Sequence, residues 1–284
     1  MKTAIIILNY NDYQTTINML NKITNDKALD LIVVVDNNST DNSYNELKKF
    51  ESSKTKIIKT DQNKGYAYGN NFGLKYLEDK NIDYVIISNP DVLVDEKVII
   101  KLKKDLENND ITLIAPLVLE NNKISRGWKL PKFKEDLLAN INYFHKYSNK
   151  LLNYNENHYL NELSEVEVVS GCFFAIKYNK FKEINYFDEN TFLYYEGNIL
   201  GCKLKEKNYK SYIDNTISIK HNLSVSVNKN LNSLKKYKLL KDSQVYYEKN
   251  YNHLNILGII VLRLFYYISY FISYIIIIFT GGSK

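Results

Sequence analysis

Apolar residues in this chain come in short runs, and each of the early runs closes on a cluster of Asn and Asp. Residues 3–8 are mostly Ile and end at Asn9-Tyr10-Asn11-Asp12, and residues 31–35 end at Asp36 and the polar stretch to Asp41. Residues 56–59 form a shorter run, and residues 84–88 end at the sharp corner Asn89-Pro90-Asp91. Runs this short and this rich in branched side chains read as buried strands. Between them, TTINMLNKI (15–23), SYNELKKF (43–50) and LKYLED (74–79) space their apolar residues as helices do. Ser39 or Asp41 is placed to cap the second of these helices. Strand alternating with helix predicts an α/β fold with a doubly wound, mostly parallel sheet. In such a sheet Asn9, residues 36–41 and residues 89–91 share the strands' C-terminal edge, where ligands bind. Pro90 removes a ladder donor and stops its strand, so Asp91 is delivered at that edge.

The middle is less regular. Residues 111–116 read as a strand, and 136–163, polar and aromatic, as a flexible insertion. Residues 167–177 are strand-like with Ser170-Gly171 at their centre. A helix is expected from Glu196, with apolar positions at 199, 200 and 204, and a strand over 212–221 ending at His221. Asn63 to Gly73, NKGYAYGNNFG, reads as a glycine-asparagine loop whose backbone can approach a ligand closely. Past residue 226 the composition changes: 229–251 is a Lys-, Leu- and Tyr-rich helix, and 254–279 is almost wholly apolar apart from Arg263. Crossing a bilayer takes about 20 apolar residues. The segment is long enough to cross, or to lie in the interface with Tyr266, Tyr267, Tyr270 and Tyr274 among the headgroups. It could also pair two copies into a homodimer. The expected division is a catalytic domain over 1–226 and a C-terminal helical, apolar appendage over 227–284.

Charge and cysteine usage narrow the function classes. The net charge of +6 is carried almost wholly by Lys, since Arg126 and Arg263 are the only arginines. No basic block interleaves with aromatics, so no nucleic acid is expected as a partner. An anionic bilayer or a phosphate ligand suits the balance. Cys172 and Cys202 belong to no CxxC pair, which argues against structural zinc or a disulfide framework and fits a reducing cytoplasm. The apolar patch after Met1 is too short for a signal peptide and reads as the first strand.

Taken in order, ILNYND, VVDNNSTD, NKGYAYGNNFG, SNPDV, VSGCFFAIK, FLYYEGNILG and the late His221 resemble glycosyltransferase family 2. These are inverting enzymes of the GT-A fold, and the likeness is to rhamnosyltransferase-like bacterial members, over roughly residues 3–226. The resemblance implies inverting transfer of a sugar, rhamnose as first choice, from a dTDP- or UDP-sugar. The acceptor would be a saccharide or a lipid-linked molecule in surface polysaccharide synthesis. It implies a place in the cytoplasm, peripheral to or anchored at the inner face of the cell membrane through the C-terminus. The alternative is a non-catalytic member that binds nucleotide sugar or a partner enzyme. A nucleotidyltransferase ranks below both, because the first strand ends at Asn9-Tyr10-Asn11-Asp12 where those enzymes carry a glycine-rich basic loop.

The resemblance also assigns residues. Asp36 would accept hydrogen bonds from base or ribose, supported by Asn9, Asn38 and Ser39, and Lys64 would meet the diphosphate as a point charge. Mg²⁺ or Mn²⁺ would be held by Asp91 and His221, since hard divalent ions take oxygen ligands and share them with phosphates. Asn89 stands where the family has the first carboxylate of its DxD motif. Single-displacement chemistry needs a base for the acceptor hydroxyl. Glu196 is that candidate, with Gly197 in place of the family's second acid and Asp188 as a weaker substitute. Ser170-Gly171 would underlie the donor sugar. Cys172 reads as packing rather than nucleophile, and Arg126 and Trp128 are candidate acceptor contacts.

Overall fold

The computed structural model describes residues 1–120, 123–141, 145–222 and 232–279. Four strands, β1 (Thr3–Asn9), β2 (Leu31–Asp36), β3 (Thr55–Lys59) and β4 (Tyr84–Ser88), form the parallel half of the sheet in the order β3-β2-β1-β4. Their crossovers are α1 (Tyr13–Ile23), α2 (Ser43–Lys48) and α3 (Tyr66–Tyr76). The continuous apolar runs follow from burial on both faces, because successive side chains point to opposite sides of a strand. Ile5, Ile7, Ile32, Val34 and Ile86 meet Met19 and Leu20 of α1 on one face. Ile6, Val33, Val35, Val85 and Ile87 meet Ala67 and Leu74 of α3 on the other.

Beyond β4 the sheet is mixed. β5 (Val92–Leu93) and α4 (Glu96–Leu106) lead to β6 (Ile111–Glu120). β9 (Phe173–Lys177) inserts antiparallel between β4 and β6, and β10 (Lys210–His221) runs parallel to β6 and antiparallel to β5. The expected parallel sheet is found in β3-β2-β1-β4, and beyond β4 the sheet is mixed, with β6 and β10 paired in parallel and β9 antiparallel to both its neighbours. The stretch 136–163, expected as a flexible insertion, instead carries α5 (Phe133–Ala139), α6 (His145–Leu152) and a 3₁₀ turn, Glu156–Tyr159, before β8 (Leu163–Val166). β8 pairs with β10, and β7 (Lys123–Ser125) pairs with β6. The remaining helices are α7 (Tyr178–Glu183), α8 (Glu196–Glu206), α9 (Ser233–Asn250) and α10 (Ile256–Phe279). The expected division at 226/227 lies outside the described residues.

The segment from Asn63 to Gly73 is also corrected: most of it is helix α3. A Cβ on Gly69 would stand 2.3 Å from Leu8 Cδ1, and one on Gly73 would stand 2.9 Å from Ile6 Cγ2. These glycines bring the helix onto the sheet rather than the backbone onto a ligand. Gly65 alone has a positive φ, +101°, and its Cβ would fall 1.9 Å from the Phe192 carbonyl oxygen. The Tyr66 amide donates to that same carbonyl at 3.0 Å, so this contact ties α3's start to the loop before α8. Replacing Gly65 with Ala adds strain and a backbone overlap that no rotamer relieves. The expected cost is about 3 kcal/mol of stability, read as a lower urea midpoint at unchanged m-value.

On α10, Leu262, Tyr266 and Ser269 are buried while Leu257, Ile260, Leu264, Tyr267 and Phe271 are exposed. The second set recurs at three- and four-residue spacing and so forms one apolar stripe. Among the described residues, no helix is long and apolar enough to cross a membrane.

Candidate active site

The ends of β1 and β2 are adjacent, with Asn9 opposite Asp36 in the register. Both side chains are fully buried. Asn9 Nδ2 donates to Asp36 Oδ2 at 3.1 Å, and the Ser39 amide donates to Asp36 Oδ1 at 2.9 Å. Thr16 Oγ1 fixes Asn9 by donating to its Oδ1 at 2.8 Å. Asp36 thus closes its own turn with Oδ1 and ties it to the end of β1 with Oδ2. Asn38, half-buried at φ 56°, sits at the tip of that loop. Asn tolerates this left-handed conformation better than most residues. Ser39 Oγ accepts from the Asn11 amide at 2.9 Å, linking the first two loops. Lys64 is exposed, with its ammonium 4.9 Å from the centre of the Tyr68 ring.

The corner after β4 lies on the same edge. The Asn89 amide donates to the Cys172 carbonyl at 2.8 Å, holding the corner against the start of β9. Asp91 is buried, and its Oδ1 lies 3.2 Å from His221 Nε2 at the end of β10. The Asn222 amide donates to the Asp91 carbonyl at 3.0 Å. His221 Nδ1 lies 2.7 Å from Glu120 Oε1. Burial alone would depress the His221 pKa, but the flanking Asp91 and Glu120 outweigh it and raise it above its ordinary value. A carboxylate oxygen beside an imidazole nitrogen, both buried and facing each other, is a donor set that fits a divalent cation. Cys172 Sγ lies within 4.8 Å of ligand atoms of His221 and Glu120. A thiol is a poor ligand for Mg²⁺ or Mn²⁺, and burial pushes this one up to about 12, which also removes it as a nucleophile.

Glu196 opens α8. Tyr194 and Tyr195 before it hold φ of 75° and 67°. Two consecutive side-chain-bearing residues in the left-handed region cost about 1–3 kcal/mol each and persist only when their surroundings impose them. Here they turn the chain so that Glu196 lines a cavity of about 360 Å³ with Tyr66, Asn89, Trp128, Gly171 and His221. Its Oε1 is buried without a hydrogen-bond partner. Burial pushes its carboxyl up to about 7, against the pull of the nearby backbone amides of Glu196 and Tyr194. A Cβ at Gly197 would lie 3.1 Å from the Val169 carbonyl, so an acid there would be forced against backbone oxygen. Asp188 is engaged elsewhere: Tyr246 and Tyr251 hydroxyls each donate to its Oδ2 at 2.7 Å. Burial raises its pKa, but those hydroxyls and Asn190 outweigh it and hold it below the usual carboxylate range.

The C-terminal helix supports this loop. Tyr195 donates to Asp136 Oδ1 at 2.7 Å, and Gln244 Nε2 donates to the Asp136 carbonyl at 3.2 Å. Burial and the neighbouring Asp136 raise the Glu248 carboxyl above its ordinary range. Ser243 Oγ donates to the Leu193 carbonyl at 2.8 Å.

The structure therefore gathers Asn9, Asp36 and Ser39 in one network and Asp91 with His221 in another, with Asn89 and Glu196 lining one cavity. Lys64 is exposed, next to Asn63, which is hydrogen-bonded to Asn37 of the second loop. Glu120 was not legible in advance, because the strand that carries it was expected to stop at Pro116. Asn37 was also missed: its Nδ2 donates to Asn63 Oδ1 at 3.0 Å and to the Gly65 carbonyl at 3.1 Å, coupling the second loop to the third. A second cavity, about 520 Å³, adjoins the first through Glu120 and Trp128 and is lined by Arg126, Tyr154 and Tyr159.

Comparisons with known proteins agree on the family and the fold. Residues 4–185 match the family model described as Glycosyl transferase family 2. The low-salt glycan biosynthesis hexosyltransferase Agl10 of Haloferax volcanii is 28% identical over 195 residues. That match covers 68% of this chain and 58% of the relative, so the chain spans under two thirds of the relative's length. The mannosyltransferase PcManGT from Pyrobaculum calidifontis, solved with GDP-Man and Mn²⁺, superposes with a TM-score of 0.61 at 12% identity. It covers all of this chain and 76% of its own. S. aureus TarS 1-349 with UDP-GlcNAc gives 0.59 at 14% identity, covering 93% and 71%. At such identities these likenesses establish the GT-A fold.

Proposed function

We propose, from the premise that the chain belongs to glycosyl transferase family 2, that it transfers a sugar from a nucleoside-diphosphate donor with inversion at the anomeric carbon. The observation that carries this reading is the buried Asp91–His221 pair on the same sheet edge as the Asn9–Asp36 network, beside a cavity lined by Glu196, whose Oε1 has no hydrogen-bond partner. The loops after β1 and β2 would cradle base and ribose, with Asn38 and Ser39 at the contact, and Lys64 would meet the diphosphate. Asp91 and His221 would hold Mg²⁺ or Mn²⁺, which acts on a leaving diphosphate as a Lewis acid. Glu196 takes the proton of the acceptor hydroxyl while the diphosphate departs from the opposite side of the sugar. A carboxyl raised to about 7 suits a base working near neutral pH.

The donor is read as dTDP- or UDP-linked, with rhamnose first. Proteins of similar fold have been solved with UDP-GlcNAc and with GDP-Man, so nucleotide choice is the first thing to measure. The acceptor, a saccharide or lipid-linked saccharide of surface polysaccharide synthesis, would enter through the second cavity. Its aromatic rings and planar polar groups (Trp128, Tyr154, Tyr159 and Arg126) suit sugar faces and hydroxyls. The apolar stripe of α10 supports a location at the inner face of the cell membrane, lying along the bilayer surface. A homodimer through the same stripe is the competing occupant.

The test is a thermal-shift panel of nucleoside diphosphates and their sugars with Mn²⁺. A ligand that binds only the folded state raises the midpoint, by about 2.7 kcal/mol of stability at a hundredfold excess over Kd. The expected response is to dTDP or UDP compounds, accompanied by slow donor hydrolysis. Silence toward every nucleoside diphosphate would overturn the reading. Binding with no turnover under any acceptor would favour the non-catalytic member, which Asn89 and Gly197 motivate.

A further inference from the structure

The corner that carries Asp91 is short of negative charge, because Asn89 is neutral where a second carboxylate would complete it. The structure holds a carboxylate behind His221 instead. Glu120 ends β6, and β6 and β10 run side by side, so the last residues of both strands reach the same edge. Glu120 Oε1 is 2.7 Å from His221 Nδ1, while Nε2 on the opposite side of the ring is 3.2 Å from Asp91 Oδ1. A carboxylate can only accept, so Nδ1 carries a hydrogen for Glu120, and with no cation bound Nε2 likewise faces Asp91 as an N–H. A cation beside Asp91 would take the place of the Nε2 hydrogen, while Glu120 keeps the one on Nδ1. The His221 side chain is only 7% exposed and cannot swing out to a different partner.

We infer that Glu120 is a positioning residue for the cation site: it fixes the His221 ring and tautomer and supplies, through the ring, the charge that Asn89 does not. The inference rests on the cation reading of Asp91 and His221 given above. A carboxylate behind a ligating imidazole raises the basicity of the ligand nitrogen and holds its direction, and losing such a partner typically weakens metal affinity by about 10–100-fold. Glu120 is close enough to His221 and Cys172 to share a cation with them, but its Oε1 sits on Nδ1, the ring nitrogen opposite the one beside Asp91, and a direct ligand would contribute independently of the ring.

The experiment uses Mn²⁺ itself as the probe and needs no turnover. Trp128 is the single tryptophan of the chain and lines the same cavity as Glu120 and His221. Its fluorescence quenching by Mn²⁺, checked by electron paramagnetic resonance of free Mn²⁺, reports occupancy in wild type, Glu120→Ala, Glu120→Gln, His221→Ala and the Glu120→Ala/His221→Ala double variant. Glu120→Ala should raise the Mn²⁺ Kd by about 10–100-fold. Glu120→Gln, whose amide oxygen still accepts from Nδ1, should fall between. The double variant should bind no worse than His221→Ala alone, since a residue acting through the ring has nothing left to act on. Midpoints of thermal unfolding in EDTA separate this from a loss of fold, and Glu120→Gln remains informative if the alanine variant is unstable. Wild-type affinity in both Glu120 variants overturns the inference and leaves the cation reading intact. Additive losses in the double variant also overturn it, by making Glu120 independent of His221. Absence of Mn²⁺ binding by wild type overturns the cation reading and this inference with it.

Discussion

Glu196→Gln should lower sugar transfer by about 10²–10⁴-fold, the usual contribution of a positioned general base, while donor KM changes little. The same substitution should flatten the pH profile. The wild-type rate is expected to rise as pH increases through about 7, where the Glu196 carboxyl gives up its proton. Stability should move the other way. The folded-state pKa is raised from 4.5 to about 7, so the folded protein holds a proton that the unfolded chain has released across that window. Stability contributed by this group is therefore full below 4.5 and is lost as pH rises to 7. Gln carries no such penalty, so the variant should melt higher than wild type at pH 8 and not at pH 4. Turnover within tenfold of wild type, or an unchanged alkaline rise, would assign the base elsewhere.

Asp91→Ala should remove the response to Mn²⁺ and cut donor turnover by about 10²–10⁴-fold. That figure follows from several kcal/mol of Lewis-acid assistance at about 1.4 kcal/mol for each factor of ten. Binding of the nucleoside alone, without its phosphates, should survive, because Asn9, Asp36 and Ser39 hold their own network on different strands. Equilibrium dialysis of nucleoside and nucleoside diphosphate, with and without Mn²⁺, separates the two contributions. A variant that still gains diphosphate affinity from Mn²⁺ would place the cation away from this corner.

The parallel half of the fold was legible because its strands are buried on both faces and therefore written as unbroken runs of Ile and Val. Strand direction is not written locally. The antiparallel entry of β9 between β4 and β6 depends on partners about 60 to 90 residues away, so the second half read only as strands. Helix α3 was mistaken for a loop because Gly and Asn are poor helix formers. Packing overrode propensity there: Gly69 and Gly73 are what let the helix sit on Leu8 and Ile6. The polar corners were readable from their positions after apolar runs, and their meeting on one edge followed from parallel strands. Glu120 was hidden by Pro116, which reads as a strand end. In the structure Pro116 pairs with Asp214 where the register of β10 shifts, and the strand continues past it for four residues. A proline is tolerated at such an irregularity.

Helix α9 lies far from the sheet edge in sequence, yet its Tyr246, with Tyr251 just past its end, holds Asp188, its Gln244 reaches the Asp136 carbonyl, and Ser243 holds the backbone just ahead of Glu196. The tail is thus not an interchangeable tether. Grafting a segment without Ser243, Gln244 and Tyr246 onto this chain would strand two backbone carbonyls, of Leu193 and Asp136, and the Asp188 carboxylate. Divergence of the two regions within a lineage should accordingly proceed in step.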